Sequence, residues 1–193
     1  MSLTSEEARI LDVLANTFYS VVPSRLQTYC AATSAIAVRA LRSFGMACDL
    51  LPCQLWYTAP GRNIVIGFLG HEARPHVWDG HVICAGKGWY VDAAVHHLKA
   101  QFDVPAPRLI GGLRFDVPTQ AIARHDLSPT ERIWWHHAPT GVDATPPAEP
   151  EAVVNHHAGL LVAAMRQQLA KPVAYRANTP AASRAGDAAR AVA

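Results

Sequence analysis

The sequence predicts an α+β fold in which a central helix near the N-terminus packs on an antiparallel β-sheet. Two observations lead to this fold class. Apolar residues first recur at helical spacing up to a helix end at Gly45, and then alternate in short runs between turn residues over 46–92, which is typical of antiparallel strands. The 193 residues, half of them hydrophobic, are enough for one well-buried core.

Three helices are predicted. The first begins at the acidic turn after Thr4 and keeps apolar residues at helical spacing as far as Phe18. The second covers 31–44, and small Ala residues around its circumference predict a helix buried at the centre of the fold. The third covers 150–169 and follows a linker rich in Pro and Ala.

The strands are predicted from apolar runs that lie between Pro, Gly and Asn residues. They cover 48–57, 63–69, 76–85, 88–93 and 131–137. Pro and Gly interrupt the region 102–128, which is therefore predicted to form loops.

Composition restricts the function classes. We expect a single domain over 1–175 and a disordered Ala- and Arg-rich tail over 176–193. The net charge of +2, without a run of Lys or Arg, argues against a nucleic-acid partner, and no apolar stretch approaches the ~20 residues of a membrane span. The polar start is unlike a signal peptide, and the four cysteines lack Cys-x-x-Cys spacing, so we expect reduced thiols in the cytoplasm.

Cys30 lies where a loop meets the predicted central helix. Near a helix N-terminus, the unpaired backbone amides and the positive end of the helix dipole favour a thiolate. With Thr28 or Ser24 as the N-cap, Cys30 is near that terminus. The stretch from Ser24 to Gln27 also fits a capping box, however, and a helix that starts there places Cys30 in its second turn, where the effect fades.

His81 and Asp92 lie on the two strands of a predicted hairpin. If Gly86 and Lys87 form a two-residue turn, His81 faces Asp92 directly, and the carboxylate fixes one imidazole nitrogen while the other is left for a thiol. Asp79 shares the strand face of His81 and is the reserve acid. Cys84 is on the opposite face from His81 and is a poor nucleophile candidate.

Three short motifs support a family resemblance: YCAA at 29–32, DGHV at 79–82 and GWYVD at 88–92. Their order, a Cys at a helix start followed by a His and an Asp on successive strands, resembles the transglutaminase-like group of the papain-like cysteine protease and acyltransferase superfamily. The resemblance covers about 27–94. The chain departs from the usual pattern in having no Trp soon after the Cys, a shorter His-to-Asp connection, and Ala93 after the Asp.

The resemblance implies a papain-like fold and acyl chemistry by the catalytic residues Cys30, His81 and Asp92. Cys30 attacks an amide, ester or thioester carbonyl, His81 transfers the proton and Asp92 holds the imidazole. The Cys30 backbone N–H and the Gln27 side chain are candidates for stabilising the oxyanion. Trp78 and Trp89 are candidate contacts for a peptide, protein or small acyl substrate. No cofactor and no metal are expected.

Two other classes of function are considered. Three His-His pairs, at 96–97, 136–137 and 156–157, favour a metal-binding protein, although none has a recognised ligand spacing with a Cys or an acid, so we expect mostly surface histidines. The other class is a binding module that keeps the fold but has no catalytic activity. Its candidates for lining a recognition groove are the aromatics Trp56, Tyr57, Trp78, Trp134 and Trp135, although strand aromatics more often belong to the core. Apart from these classes, Cys30 can be a small buried core residue.

Overall fold

Helices and an antiparallel sheet make up the computed structural model, which describes residues 3–69, 78–115 and 121–171. The α+β class is confirmed. The helices are α1 (Ser5–Val21), α2 (Cys30–Arg42), α3 (His97–Phe102) and α4 (Glu151–Leu169). The strands are β1 (Cys48–Ala59), β2 (Arg62–Ile66), β3 (His81–Gly86), β4 (Trp89–Asp92), β5 (Ile110–Leu113), β6 (Ala121–Asp126) and β7 (Arg132–His137). The predicted tail, 176–193, and residues 76–77 of the predicted third strand lie outside the described residues.

The three predicted helices are confirmed as α1, α2 and α4. Thr4 caps α1 in a capping box with Glu7, as the acidic turn predicts. Helix α2 packs on the sheet, where the Ser34 hydroxyl donates a hydrogen bond of 2.9 Å to the carbonyl of Val82. No described helix is long and apolar enough to cross a membrane.

The seven strands form one antiparallel sheet in the order β5-β4-β3-β1-β7-β6, with β2 paired to the far half of β1. Along one edge, the first half of the long strand β1 therefore pairs with β3 and the second half pairs with β2. At the two ends of the order, the Phe115 N–H donates to the carbonyl of Ile122 at 2.9 Å. The sheet is thus nearly closed, like a barrel.

The prediction that 102–128 forms loops is wrong in part, because this region contains β5 and β6. Gly111 and Gly112 suggested a break. In the structure they lie within β5, where Gly112 sits under the ring of Tyr90, and a Cβ there would be only 3.3 Å from that ring. Glycine is used here for the close approach of a side chain, which local sequence does not reveal.

The described core has two parts, one on each face of the sheet. One lies between the sheet and helices α1, α2 and α4, and includes Phe18 and Leu161. The other lies inside the curved sheet around Tyr90 and Trp135. Cys30 belongs to a small cluster of its own with Ala31, Val82 and Ala94, where the start of α2 meets the sheet.

Candidate active site

Cys30 is the first residue of α2. The chain forms a single turn of 3₁₀ helix over Ser24–Leu26 and then starts a new helix, with Tyr29 at the N-cap position. Neither Thr28 nor Ser24 is the cap, so that expectation is wrong, and no side chain of the described residues caps the amides at this helix end. The Cys30 side chain therefore lies in the first turn, where free N–H groups and the helix dipole stabilise a thiolate.

His81 and Asp92 form a buried pair. Both side chains are 0% exposed, and His81 Nε2 lies 2.7 Å from Asp92 Oδ2. The predicted hairpin register is wrong by two residues, because Lys87 and Gly88 form the turn and Gly86 pairs with Trp89. A shift of two residues keeps every side chain on its original face, so His81 and Asp92 meet diagonally instead of directly.

Asp92 accepts two further hydrogen bonds. The Trp135 indole N–H donates to Oδ2 and the Ala94 backbone N–H donates to Oδ1, each at 2.8 Å. Burial works to raise the pKa of Asp92, but the charge of His81 and these three hydrogen bonds hold that pKa below its usual value. An ionised Asp92 accepts a hydrogen bond from the N–H at His81 Nε2 and thereby fixes the orientation of the ring.

The other His81 nitrogen, Nδ1, has no hydrogen-bond partner among the described residues. It belongs to a cluster in which one ligand atom each of Cys30, His81 and His97 lie within 4.8 Å of one another. Because Asp92 occupies Nε2, the nitrogen on the Cys30 side is Nδ1. A thiol and a carboxylate therefore lie next to different nitrogens of one imidazole, with the loose spacing common in ligand-free sites.

The charges in this cluster favour a thiolate–imidazolium pair. Burial works to raise the pKa of Cys30, but the interactions with His81 and then His97 lower it to about 6. Burial works to lower the pKa of His81, but the charge and hydrogen bond of Asp92, followed by Cys30, raise it to about 10. The two opposite shifts favour a proton on His81 and a negative charge on the Cys30 sulfur.

The remaining predicted site residues occupy different places. Trp78 packs against the Cys30 cluster, and its indole N–H has no partner among the described residues. Gln27 is 6% exposed and lies three residues before Cys30, at the end of the 3₁₀ turn. Trp89 is 3% exposed and packs in the core under the helices, a position that gives no support for substrate contact. Asp79 accepts the Leu69 N–H at 3.1 Å, and the carboxylate on His81 is that of Asp92.

The sequence reasoning missed two residues of this site. His97 starts α3 only five residues after Asp92, and its ring meets that of His81 edge to face with centroids 5.9 Å apart. The His-His pair close behind the acid was the available signal, but it was interpreted as a surface feature. Trp135 is buried on β7, but the adjacent Trp134 obscures the alternation of apolar and polar residues, and only the sheet order shows that Trp135 reaches Asp92.

The other two His-His pairs show no ligand geometry among the described residues. The His136 ring packs at 5.0 Å from Trp56 and 6.2 Å from Trp134. His156 and His157 pack ring against ring in α4, with centroids 5.0 Å apart. Contrary to the expectation of mostly surface histidines, His157 is buried and His97 half-buried.

A surface cavity of about 480 Å³ lies elsewhere, between α2, β1 and α4. Among its charged groups, Arg42 pairs with Asp49, and Arg39 binds Asn155 and Glu151. No described cysteine, serine, threonine or histidine lines it. The Cys30 cluster is therefore the better candidate for chemistry.

Comparison of the chain with family models, with curated proteins and with solved structures finds no match in any of the three. The resemblance to the transglutaminase-like group therefore remains a prediction from the three motifs. The geometry of the Cys30, His81 and His97 cluster is therefore what indicates a function.

Proposed function

We propose that this protein is a thiol-dependent enzyme that hydrolyses or transfers an acyl group from an amide, peptide or ester. The observation that supports this most is the arrangement around His81. One ring nitrogen is held by the ionised Asp92, and the other is free and faces a thiol at a helix N-terminus. This division of roles between two nitrogens is what a general base needs to serve a nucleophile.

The reaction follows from the charges. The Cys30 thiolate attacks the carbonyl carbon, and the carbonyl π electrons move to its oxygen to form a tetrahedral oxyanion. The oxyanion collapses, the bond to the leaving group breaks, and His81 gives its Nδ1 proton to that group, which leaves a thioester on Cys30. Water or an amine then attacks the thioester while His81 takes its proton, and the thiolate is released.

Donors for the oxyanion are available beside the sulfur. The Cys30 backbone N–H is among the free amides of the α2 start. The Trp78 indole N–H is a second candidate, since it is buried without a partner among the described residues and packs against the Cys30 cluster. Gln27 remains the third.

The surroundings favour an acyl donor with an apolar group near the scissile bond. Tyr29, next to the nucleophile, is 60% exposed, and Trp78 packs edge to face on Phe68 with ring centroids 5.9 Å apart. Aromatic surfaces of this kind bind flat or apolar groups. A peptide, protein or small acyl compound fits this description.

The test compares two thiols. We expect an electrophilic acyl probe, such as an activated thioester, to acylate Cys30 in the wild type and to turn over, with turnover abolished in Cys30→Ala. Cys53→Ala is the matched control, because Cys53 is also buried and is the strand partner of His81. Turnover that survives in Cys30→Ala contradicts the proposal. If alkylation of wild-type Cys30 follows the pKa of an ordinary thiol, ~8.5, the result supports the inactive binding module instead.

A further inference from the structure

The imidazole of His97 is a second ring close to the sulfur of Cys30. The acyl mechanism above does not use it. Its Nε2 is buried without a partner among the described residues, like Nδ1 of His81. Two imidazole nitrogens without partners among the described residues and one sulfur therefore lie within 4.8 Å of one another. A buried nitrogen without a partner costs free energy, and a bound ligand relieves that cost.

Each histidine is also held by its other nitrogen. His81 Nε2 is bound to Asp92 at 2.7 Å, and His97 Nδ1 lies 3.4 Å from Gln101 Nε2, one turn further along α3. Rotating the Gln101 amide by 180° exchanges its nitrogen and oxygen, and the oxygen then accepts a hydrogen bond from His97 Nδ1–H. Metal-binding histidines are oriented in this way, by a hydrogen bond from the nitrogen that does not bind the ion. The carboxylate of Asp92 also increases the basicity of His81.

We propose that Cys30 Sγ, His81 Nδ1 and His97 Nε2 form a three-residue site for Zn²⁺. The ligand set of one thiolate and two imidazoles suits this ion, and three protein ligands leave the fourth tetrahedral position for water. Ligand atoms in such a site are about 3.3–3.6 Å apart, given the usual Zn–S and Zn–N bond lengths. The three atoms, all within 4.8 Å of one another, reach that spacing by small side-chain rotations.

Zinc and an acyl substrate exclude each other at this site, because both take the same sulfur electron pair. Binding displaces the one proton shared by the Cys30 thiol and His81, and that proton goes to solvent. The half-buried His97 is the most exposed of the three ligands. Inhibition of the acyl reaction by Zn²⁺ rests on the proposed function, whereas the metal site itself does not.

The experiment titrates Co²⁺, as a coloured substitute for Zn²⁺, into protein stripped of metal with a chelator. We expect one Co²⁺ per chain and a sulfur-to-cobalt charge-transfer absorption, which is lost in Cys30→Ser. In His97→Ala and in the more conservative His97→Gln, affinity falls at least tenfold. His156→Ala, from another His-His pair, is the matched control and keeps the wild-type affinity. Binding below one ion per chain, absorption that survives in Cys30→Ser, or wild-type affinity in both His97 variants overturns the site.

Alkylation of Cys30 by iodoacetamide separates this inference from the proposed function. In the metal-free protein we expect fast alkylation near neutral pH, and equimolar Zn²⁺ suppresses it at least tenfold in the wild type but not in His97→Gln. Slow alkylation without metal, together with stoichiometric Co²⁺ binding, rejects the thiol enzyme and keeps the metal site. Fast alkylation that Zn²⁺ does not suppress rejects the metal site and keeps the thiol enzyme.

Discussion

Cys30 and Cys53 are both buried and both lie near His81 and Asp92, yet their pKa values move in opposite directions. Cys53 is 0% exposed, and burial followed by the negative charges of Asp92 and Cys30 raises its pKa. Cys30 is 7% exposed, and the imidazoles of His81 and His97 lower its pKa. Burial raises the pKa of a thiol, and imidazole groups next to the sulfur can reverse that shift.

The largest expected effect comes from replacing Asp92. Of the two thiols, only Cys30 depends on this carboxylate, through His81. Asp92→Asn should lower turnover by about 10³- to 10⁴-fold, because the amide no longer fixes the tautomer or stabilises the imidazolium. The positioning role also predicts that the pH midpoint of Cys30 alkylation rises. Both are measured by kinetics with the acyl probe and by iodoacetamide labelling across pH.

Asp79→Asn is the matched control for that variant, since Asp79 binds the Leu69 amide and not His81. It should keep turnover within a few-fold of the wild type. A larger loss in Asp79→Asn than in Asp92→Asn would reverse the assignment of the orienting acid.

The next effect is the pH dependence of the two thiols. The pKa of Cys30 is lowered to about 6 and that of His81 raised to about 10. The reactive ion pair forms as pH rises through about 6 and is lost as pH rises through about 10, so kcat/KM should be bell-shaped between these limits. At pH 6 about half of Cys30 should be thiolate, against roughly 0.3% for an ordinary thiol of pKa ~8.5.

Mass-spectrometric mapping of alkylation measures this contrast site by site. Cys53 should stay unlabelled in the folded protein across the same range. Equal labelling of Cys30 and Cys53, or a Cys30 midpoint near pH 8.5, would contradict the proposed difference in pKa between the two thiols.

A smaller effect is expected from two glycines that each lie under a tryptophan. A Cβ at Gly80 would lie 2.3 Å from the Trp78 ring, and a Cβ at Gly86 would lie 2.3 Å from the Trp89 ring. Gly80→Ala should displace Trp78 from the Cys30 cluster, change its fluorescence and lower turnover about tenfold, in line with the sensitivity of catalysis to small displacements. Gly86→Ala should instead destabilise the core by ~1–3 kcal/mol, measured by denaturant unfolding.

The two glycine variants together separate the site from the core. Turnover per folded molecule should be kept in Gly86→Ala. If Gly80→Ala only lowers the stability and keeps turnover, Trp78 has no part in the reaction.

The smallest effect is a gain. Gly159 is exposed within α4, and a Cβ there meets nothing within 4 Å. Gly159→Ala should raise the free energy of unfolding by ~0.5–1 kcal/mol, because alanine loses less backbone entropy in a helix. Cys30 alkylation should stay unchanged, and a change there would mean that α4 influences the site.

Much of the fold was predictable because helices and strands leave a periodic pattern in the chain. That pattern predicts the three long helices and five of the strands, although β2, β3, β4 and β7 are shorter than predicted. The two strands that were missed, β5 and β6, show why the rest was not predictable. Glycine in β5 signals a break locally, but next to the ring of Tyr90 it is the residue that fits.

By itself, the sequence determined which side chains share a face. His81 and Asp92 meet although the predicted register was wrong by two residues, because the period of a strand is two and an even error changes no face. It also placed Cys30 near the start of a helix, and the structure decided that this is the first turn and not the second.

Only the tertiary structure decided what surrounds these residues. The Trp135 N–H on Asp92 and the Nε2 of His97 near the sulfur come from parts of the chain that meet through sheet order and helix packing. A local pattern reports only on neighbours along the chain, whereas the charge state of a buried group depends on neighbours in space.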